Sequence, residues 1–500
     1  MGKLVDISVT QVTTDTGASG VPNEYGTVQV YTGNGHLLVG DSGAQAVGVV
    51  RSSTDPTQLT FSVGGAEIKS GDVTGGALGG LLSFRDGVLN KAENTLGQVA
   101  FSLASTFNAQ HATGMDLLGN HWVAGTDPVT GAPINTNANF APDFFTIPST
   151  VNTVGAPSTA PAVSINLTAP TLTGDTTADF YKTAVTKSDY KLEVLAGGSH
   201  VLTRLTDGKT WPDQTVAPPA VATSLTDINN LLSSDPQGFT LDTTGTPPAV
   251  GDSYDIRPMA KMPTKISVNA QLAGDVRLIA AGLAVKAGIP QTNQGQMTAT
   301  VTRMTSGDPG TIVPSGSTLP ITYNSASNDL AGLFATGATS VKMTDLNGAI
   351  TTYTGGNVPF KAGASYDVDG IVFTMSGVPS NGDKVVLERN DTAPIGVSDS
   401  SNVLLLTQME SKKVLSGSST YGEAYAQMVA DVGNDTSAYK TTKASQQTLY
   451  DLALSRRDSV SGVNLDEEAA NLMYYQQMYQ ANAKALQAGQ KIFDTLMSIM

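Results

Sequence analysis

The chain has no cysteine. Disulfides, thiol nucleophiles and zinc–thiolate sites are thereby excluded. Charge is sparse: 14% of the 500 residues are Asp, Glu, Lys or Arg, and their balance is −15. A nucleic-acid backbone is a poor partner for such a chain. No apolar run approaches the roughly 18 residues that span a bilayer, so membrane insertion is not expected. The opening MGKLVDISVTQV has one lysine and no apolar core, and so lacks the pattern of a cleaved secretion signal. Trp122 and Trp211 are the only tryptophans, which gives little material for an aromatic sugar platform. His111 and His121 are separated by a Gly-rich stretch with no third ligand in view, and His36 and His200 stand alone, so no metal site is expected. Gly75, Gly76, Gly79 and Gly80 precede a helical pattern, but no Gly-Lys-Ser/Thr completes a phosphate loop there. With no triad spacing or paired carboxylates either, neither enzyme activity nor a cofactor is expected.

Glycine and proline are plentiful, at 52 and 24 residues, within a body rich in Thr, Ser and Asn. That composition suits turn-dense β structure, and the length suits several domains. Residues 1–70 read as strands. Val28 and Val30 alternate with polar neighbours, and Asn34-Gly35 predicts a two-residue type I′ turn before His36–Val39. Residues 81–109 read as a helix. Its Leu82, Leu89, Ala92, Leu96, Val99 and Leu103 keep heptad-like spacing, which predicts lengthwise packing on other helices.

From about 150 to 390 the pattern is β-rich and repeats. Gly238-Phe239-Thr240-Leu241, Gly245-Thr246-Pro247 and Gly251-Asp252 are echoed by Gly370-Ile371-Val372-Phe373, Gly377-Val378-Pro379 and Gly382-Asp383. Each copy predicts strand, Gly-x-Pro turn, Gly-Asp turn and strand, the second strands lying near Tyr254–Arg257 and Lys384–Glu388. Upstream strands are expected at 190–194 and 201–205 in one copy, and at 319–323 and 340–343 in the other. One aspartate per turn is too little for calcium, so turn chemistry explains it better. Residues 274–287 read as a linker helix, or as a strand and helix against one module. Residues 420–457 read as helical through Tyr421, Tyr425, Met428, Val432, Tyr439, Leu449 and Leu452, with Gly433-Asn434-Asp435 as a possible break, and their length suits antiparallel packing on 81–109.

The last forty residues read as one helix. Asn464 stands at its N-cap, Glu467 completes a capping-box spacing, and Asp466, Glu467 and Glu468 crowd the first turn, where the helix dipole favours negative charge. Leu465, Ala469, Leu472, Gln476, Tyr479, Ala483, Leu486, Gln490, Phe493, Met497 and Met500 form a heptad seam about 54 Å long at the usual rise. That period favours a partner helix over packing on the chain's own domain.

The stretch SGVNLDEEAANL with YQQMYQANAKALQ, which includes Ala481, Asn482 and Ala483, closely resembles the carboxyl-terminal signature of flagellar axial proteins. Its spelling is nearest to the hook-associated protein 1 family. SFRDGVLNKAENTLGQVAFSLASTFNAQHATGMDLLGN resembles the same family, with Phe107, Asn108, Gln110, His111, Gly114, Asp116 and Gly119 matching its helix-to-head junction. SDSSNVLLL resembles its re-entry motif through Asp399, Asn402 and Leu404, with Ser398 where glycine is usual, and Asp399 is a natural N-cap. The resemblance implies a multidomain α+β chain, an elongated helical shaft with two inserted all-β modules. The shaft would take 1–145 and 393–460, the modules 146–295 (with the linker helix) and 296–392, and the terminal helix 461–500. It also implies an amino-terminal helical region that this sequence lacks.

In function, the resemblance implies a structural subunit at the hook–filament junction, exported by the flagellar type III apparatus and located in the extracellular flagellum. The implied partners are copies of itself in a ring, the hook protein, a second junction protein, and an export chaperone on the carboxyl-terminal helix. A surface adhesin or carbohydrate-binding role for the tandem β modules is the competing expectation.

Overall fold

The computed structural model describes residues 4–12, 27–32, 35–40, 42–52, 58–73, 75–126, 133–153, 155–156, 163–172, 180–216, 221–305, 308–310, 312–314, 316–390, 399–462 and 465–499. Helices and many short strands alternate along it, an α+β arrangement. The chain divides into two compact units, Met1–Val429 and Ala430–Met500.

The first unit begins with two antiparallel sheets. One joins Ile7–Val12, Thr27–Thr32, Leu37–Gly40 and Gly43–Ala44; the other joins Val47–Arg51, Leu59–Val63 and Ala66–Ile68. The expected type I′ turn at Asn34-Gly35 falls partly outside the described residues, since Asn34 is not among them. Gly35 N–H donates to Thr32 O and Thr32 N–H to His36 O, both at 2.8 Å. Gly35 has φ 88°, a value that favours glycine.

Leu38, Phe61, Val63 and Ile68 gather a core onto which Leu78 and Leu82 of helix α1 (Gly76–Phe84) pack. The glycines before α1 have a steric purpose. A Cβ on Gly76 would lie 2.5 Å from the backbone of Leu4, whose carbonyl accepts from Leu78 N–H. A π turn, Arg85–Leu89, joins α1 to α2 (Asn90–His111), so the expected helix is longer than read and widened in the middle.

Helix α2 overturns its expected packing. Leu89, Leu96 and Leu103 are 51%, 43% and 38% exposed. The buried face instead carries Asn94, Gln98, Ser102, Ala104, Ser105 and Thr106 around Phe101. The later helices Ser401–Gln408 and Tyr421–Ser461 meet only part of α2; over residues 94–102 its neighbour is irregular chain, whose polar groups need partners. Gln98 Nε2 donates to Val185 O at 2.7 Å, Ser102 and Thr183 hydroxyls meet at 2.7 Å, and Asn94 Nδ2 donates to Asp189 at 2.8 Å. Gly97 lets this face close: a Cβ there would sit 2.1 Å from Met259 O.

Two sheet pairs follow, and they share a plan. The first has Gly155–Ala156, Ser253–Ile256, Tyr190–Val194, His200–Arg204 and Thr210–Trp211 in that spatial order. The second has Val285–Gly288, Lys384–Arg389, Thr318–Asn324, Asp329–Ala331 and Val358–Pro359. The sequence repeat marks the same corner in each. Asp252 accepts from Ala249 N–H and Asp383 from Ser380 N–H, at 2.8 and 2.7 Å. Backbone carbonyls of the two aspartates accept from Val194 and Tyr323.

The upstream strands need one correction. The partner of Thr318–Asn324 that matches His200–Arg204 is Asp329–Ala331, not the strand near Met343. That strand, Val341–Thr344, belongs to the opposing sheet with Thr298–Met304, Ile371–Ser376, Ser365–Val368 and Ile350–Tyr353. In the first pair, the opposing sheet has only Thr150–Thr153, Val163–Leu167 and Phe239–Leu241, and helix α3 (Leu225–Ser234) packs beside it. The sequence reading missed α3. Its signals are Ser224 and Asp227, which cap it, and the inward Leu225, Ile228 and Leu232.

Between the pairs, residues 274–287 are mostly extended, after the short helix α4 (Ala270–Gly274); strands Gly282–Leu283 and Val285–Gly288 follow. Beyond the second pair, residues 391–398, including Ser398, lie outside the described residues. Helix α5 (Ser401–Gln408) then leads to α6 (Tyr421–Ser461), which runs unbroken through Gly433. Thr420 and Glu423 form a reciprocal capping box at its start. Its first turn packs on α2: Tyr421 hydroxyl meets Thr106 hydroxyl at 2.8 Å. The second unit comprises the rest of α6 and α7 (Leu465–Met497). No described helix is long and apolar enough to cross a membrane.

Two helical glycines give opposite expectations. Gly97→Ala should destabilise the chain by about 1–3 kcal/mol through overpacking. Gly80→Ala, whose Cβ meets nothing within 4 Å, should stabilise it by about 0.4–1 kcal/mol. Urea denaturation of the two variants against the parent measures both.

Candidate functional site

Two groups of residues carry the site expectations. One is a buried joint at the end of α2, and the other is the open face of α7.

The joint brings the matched junction residues together with the re-entry motif. Asn108 pairs both amide atoms with the backbone of Phe145, donating to its carbonyl at 2.7 Å and accepting from its N–H at 2.8 Å. Gln110 Nε2 donates to Asn402 Oδ1 at 2.8 Å, and Asn402 Nδ2 donates to Ala280 O at 2.7 Å. Asn402 is fully buried. Gly114 makes room for it: a Cβ there would stand 2.2 Å from Asn402 Nδ2. Asp116 accepts from the N–H groups of Leu118 and Asn120, each at 2.8 Å, and so closes the next turn. Phe107, Phe144 and Phe145 meet edge to face beside this network. Asp399 acts one residue before its expected position. Ser400 is the N-cap of α5 and makes no side-chain cap, while Asp399 Oδ1 takes Ser401 N–H at 2.9 Å and Oδ2 takes Leu283 N–H at 3.1 Å.

His111 sits at the centre, fully buried. Burial holds its pKa below the usual 6.5, against the opposing pull of its bond to Pro142 and the charge of Asp116. The unfolded chain therefore takes up the proton first. The stability His111 contributes is complete above pH 6.5 and declines as pH falls toward its lowered value. His121 is also hydrogen-bonded within the fold, to Trp122 O and Arg389. Trp211 is buried in the first sheet pair, 5% exposed, which removes it as a sugar platform.

The α7 face is the reverse of the joint. None of its residues is buried. Leu465, Leu472, Tyr479, Leu486 and Phe493 are 81%, 62%, 77%, 70% and 63% exposed along one seam. Gln476, Ala481 and Asn482 are exposed as well, and Ala483 is half-buried. Asp466, Glu467 and Glu468 occupy the first turn as expected, while the Asn464 cap lies outside the described residues.

Comparison with known proteins follows this division. A family model described as the flagellar hook-associated protein FlgK helical domain matches residues 4–126. Another, described as the flagellar basal body rod FlgEFG protein C-terminal region, matches residues 455–499. The chain is 27% identical over 481 residues to flagellar hook-associated protein 1 of Salmonella typhimurium, covering 95% of this chain and 60% of that protein. The corresponding Escherichia coli K12 protein is 25% identical over 480 residues, with 95% and 59% covered. The chain thus spans about 60% of the length of the curated relatives it matches. Among solved structures, the flagellar hook junction protein FlgK from Burkholderia pseudomallei superposes with a TM-score of 0.65 at 25% identity, covering 92% of this chain and 76% of that one.

The class these matches define is that of bacterial flagellar proteins. Within it, the relatives the chain resembles over most of its length are flagellar hook-associated protein 1 and the hook junction protein FlgK.

Two outcomes follow. Asn402→Ala leaves Ala280 O without its side-chain partner, while Gln110 keeps its bond to Thr113 Oγ1, and should cost about 1–3 kcal/mol, measured by denaturant unfolding. In the isolated chain, amide hydrogen exchange through Leu465–Met497 should show little protection, because no tertiary packing backs the helix; strong protection along its whole length would contradict this.

Proposed function

We propose that this chain is a structural subunit of the bacterial flagellum, placed at the hook–filament junction and working outside the cell. The observation that carries the reading is the unburied seam of α7, which runs from Leu465 to Met497. A solitary helix with such a face gains stability only by packing, and each large apolar side chain it buries contributes roughly 1.5–3 kcal/mol. The relatives named as hook-associated proteins support where that packing takes place.

In this reading α7 joins the inner wall of a ring of identical subunits, between the hook protein and a second junction protein. Gln476 and Gln490 set register in the seam at some cost in stability. Before assembly an export chaperone covers the same face, and export is through the flagellar type III apparatus. Asn464, Leu465, Asp466, Glu467, Glu468, Leu472, Gln476, Tyr479, Ala481, Asn482, Ala483, Leu486 and Phe493 are the assembly residues. Phe107, Asn108, Gln110, His111, Gly114 and Asp116 hold the joint that orients the head.

The domain layout belongs to the same proposal: a helical shaft from 1–145 and 393–460, all-β modules at 146–295 and 296–392, and an assembly helix at 461–500. The exposed Leu89 of the π turn and Leu96 and Leu103 of α2 give the shaft a second apolar face for lateral contacts.

Deleting the gene in the source bacterium should leave bare hooks and release flagellin into the medium. The full gene should restore filaments, while a gene lacking residues 461–500, or carrying Leu472→Glu with Phe493→Glu, should not. Because both side chains are exposed, the double variant should fold normally, as circular dichroism will show. Normal filaments in the deletion strain would overturn the proposal.

A further inference from the structure

Two strands connect the second sheet pair to the rest of the unit, and they are neighbours. Val285–Gly288 follows the crossing at Ala280–Leu283, and Lys384–Arg389 leads out, with Val285 opposite Arg389. A histidine grips each crossing. Ala280 N–H lies 2.9 Å from His111 Nε2, and Arg389 Nη2 lies 3.2 Å from His121 Nε2. A backbone amide and a guanidinium can only donate. Both Nε2 atoms are therefore acceptors, and each ring carries its single proton on Nδ1. Those protons go to Pro142 O and Trp122 O, each at 2.8 Å. Both side chains are buried, 0% and 5% exposed, so water cannot take over a lost bond without an opening.

We propose that His111 and His121 form an acid-sensitive joint between the helical part of the first unit and the second sheet pair. Protonation turns each Nε2 from acceptor to donor, facing a group that can only donate. Ala280 N–H then loses its partner inside the fold. At His121 the new charge also faces the Arg389 guanidinium, which repels it.

The surrounding charges set the terms. Asp116, after α2, draws a proton toward His111. Asp143 follows Pro142, and burial holds its carboxyl above the usual range. On the crossing strand's side, Arg277 is exposed and paired with Asp275 at 2.7 Å, and Asp399 before α5 is bound to Leu283 N–H. Phe140 and Phe144 cover the remaining faces of the His111 ring. Asp308, 4.0 Å from Arg389, also holds Ala124 N–H. The non-titrating bonds of Asn390 to Leu283 and Ala284 keep the strands attached, so acid loosens the joint without severing it.

The absence of cysteine makes the test direct. Spin labels on Lys91→Cys in α2 and Leu346→Cys in a loop of the second pair report one distance across the joint in the full chain. As pH falls from about 7.5 to about 5, from above the usual 6.5 toward the lowered value of His111, the distance distribution should broaden. In the same chain carrying His111→Gln and His121→Gln it should not, because glutamine keeps a neutral acceptor in place. An unchanged distribution in the parent, or equal broadening in the Gln variant, overturns the proposal. Should the double variant fail to fold, NMR titration of the four histidines in the parent decides: broadening must follow protonation of His111 or His121, and broadening where neither titrates overturns it.

Discussion

The peptide group of Ala280 is tied at both ends by residues from distant parts of the chain. Its N–H is taken by His111 at the end of α2, and its carbonyl by Asn402 in α5. Neither side chain can move alone, because Gln110 also holds Asn402 and Pro142 also holds His111. A buried polar network of this kind is stable only when every member is satisfied, and satisfied networks fix one arrangement rather than several. The joint therefore decides how the helices meet the β structure, and apolar packing elsewhere adds strength to a geometry already chosen.

That logic explains the unusual face of α2. Polar residues line its buried side because the irregular chain beside it has polar groups to satisfy, the Val185 carbonyl and the Thr183 hydroxyl. Its leucines point the other way. The leucines of α2 and the seam of α7 are alike in being exposed among the described residues of their own units.

The sequence made local chemistry legible and partnership much less so. The Gly-Asp corners were readable because Gly382 and Gly251 adopt positive φ and each aspartate holds backbone N–H groups within its own turn. The long helices and the acidic start of α7 were readable for the same reason. What failed depended on partners distant in sequence. Heptad spacing on α2 was taken for its inner face, because periodicity shows that a face exists but not which face the fold covers. The strand at Val341–Thr344 was legible, but not the sheet it joins, because strand spacing does not state that. Family resemblance, rather than physics, brought His111, Gln110 and Asn402 into view; their contact across 292 positions has no local signature.

The two sheet pairs share one corner, yet one is flanked by helix α3 and the other by extra strands. The shared corner sits where Val194 and Tyr323 lock the aspartate turns, away from the segment that differs. The scaffold thus separates a fixed hinge-side geometry from a replaceable flank. The bonds that hold each corner come from neighbouring strands and turns rather than from that flank, so a change in the flank's length leaves the corner's own anchorage intact.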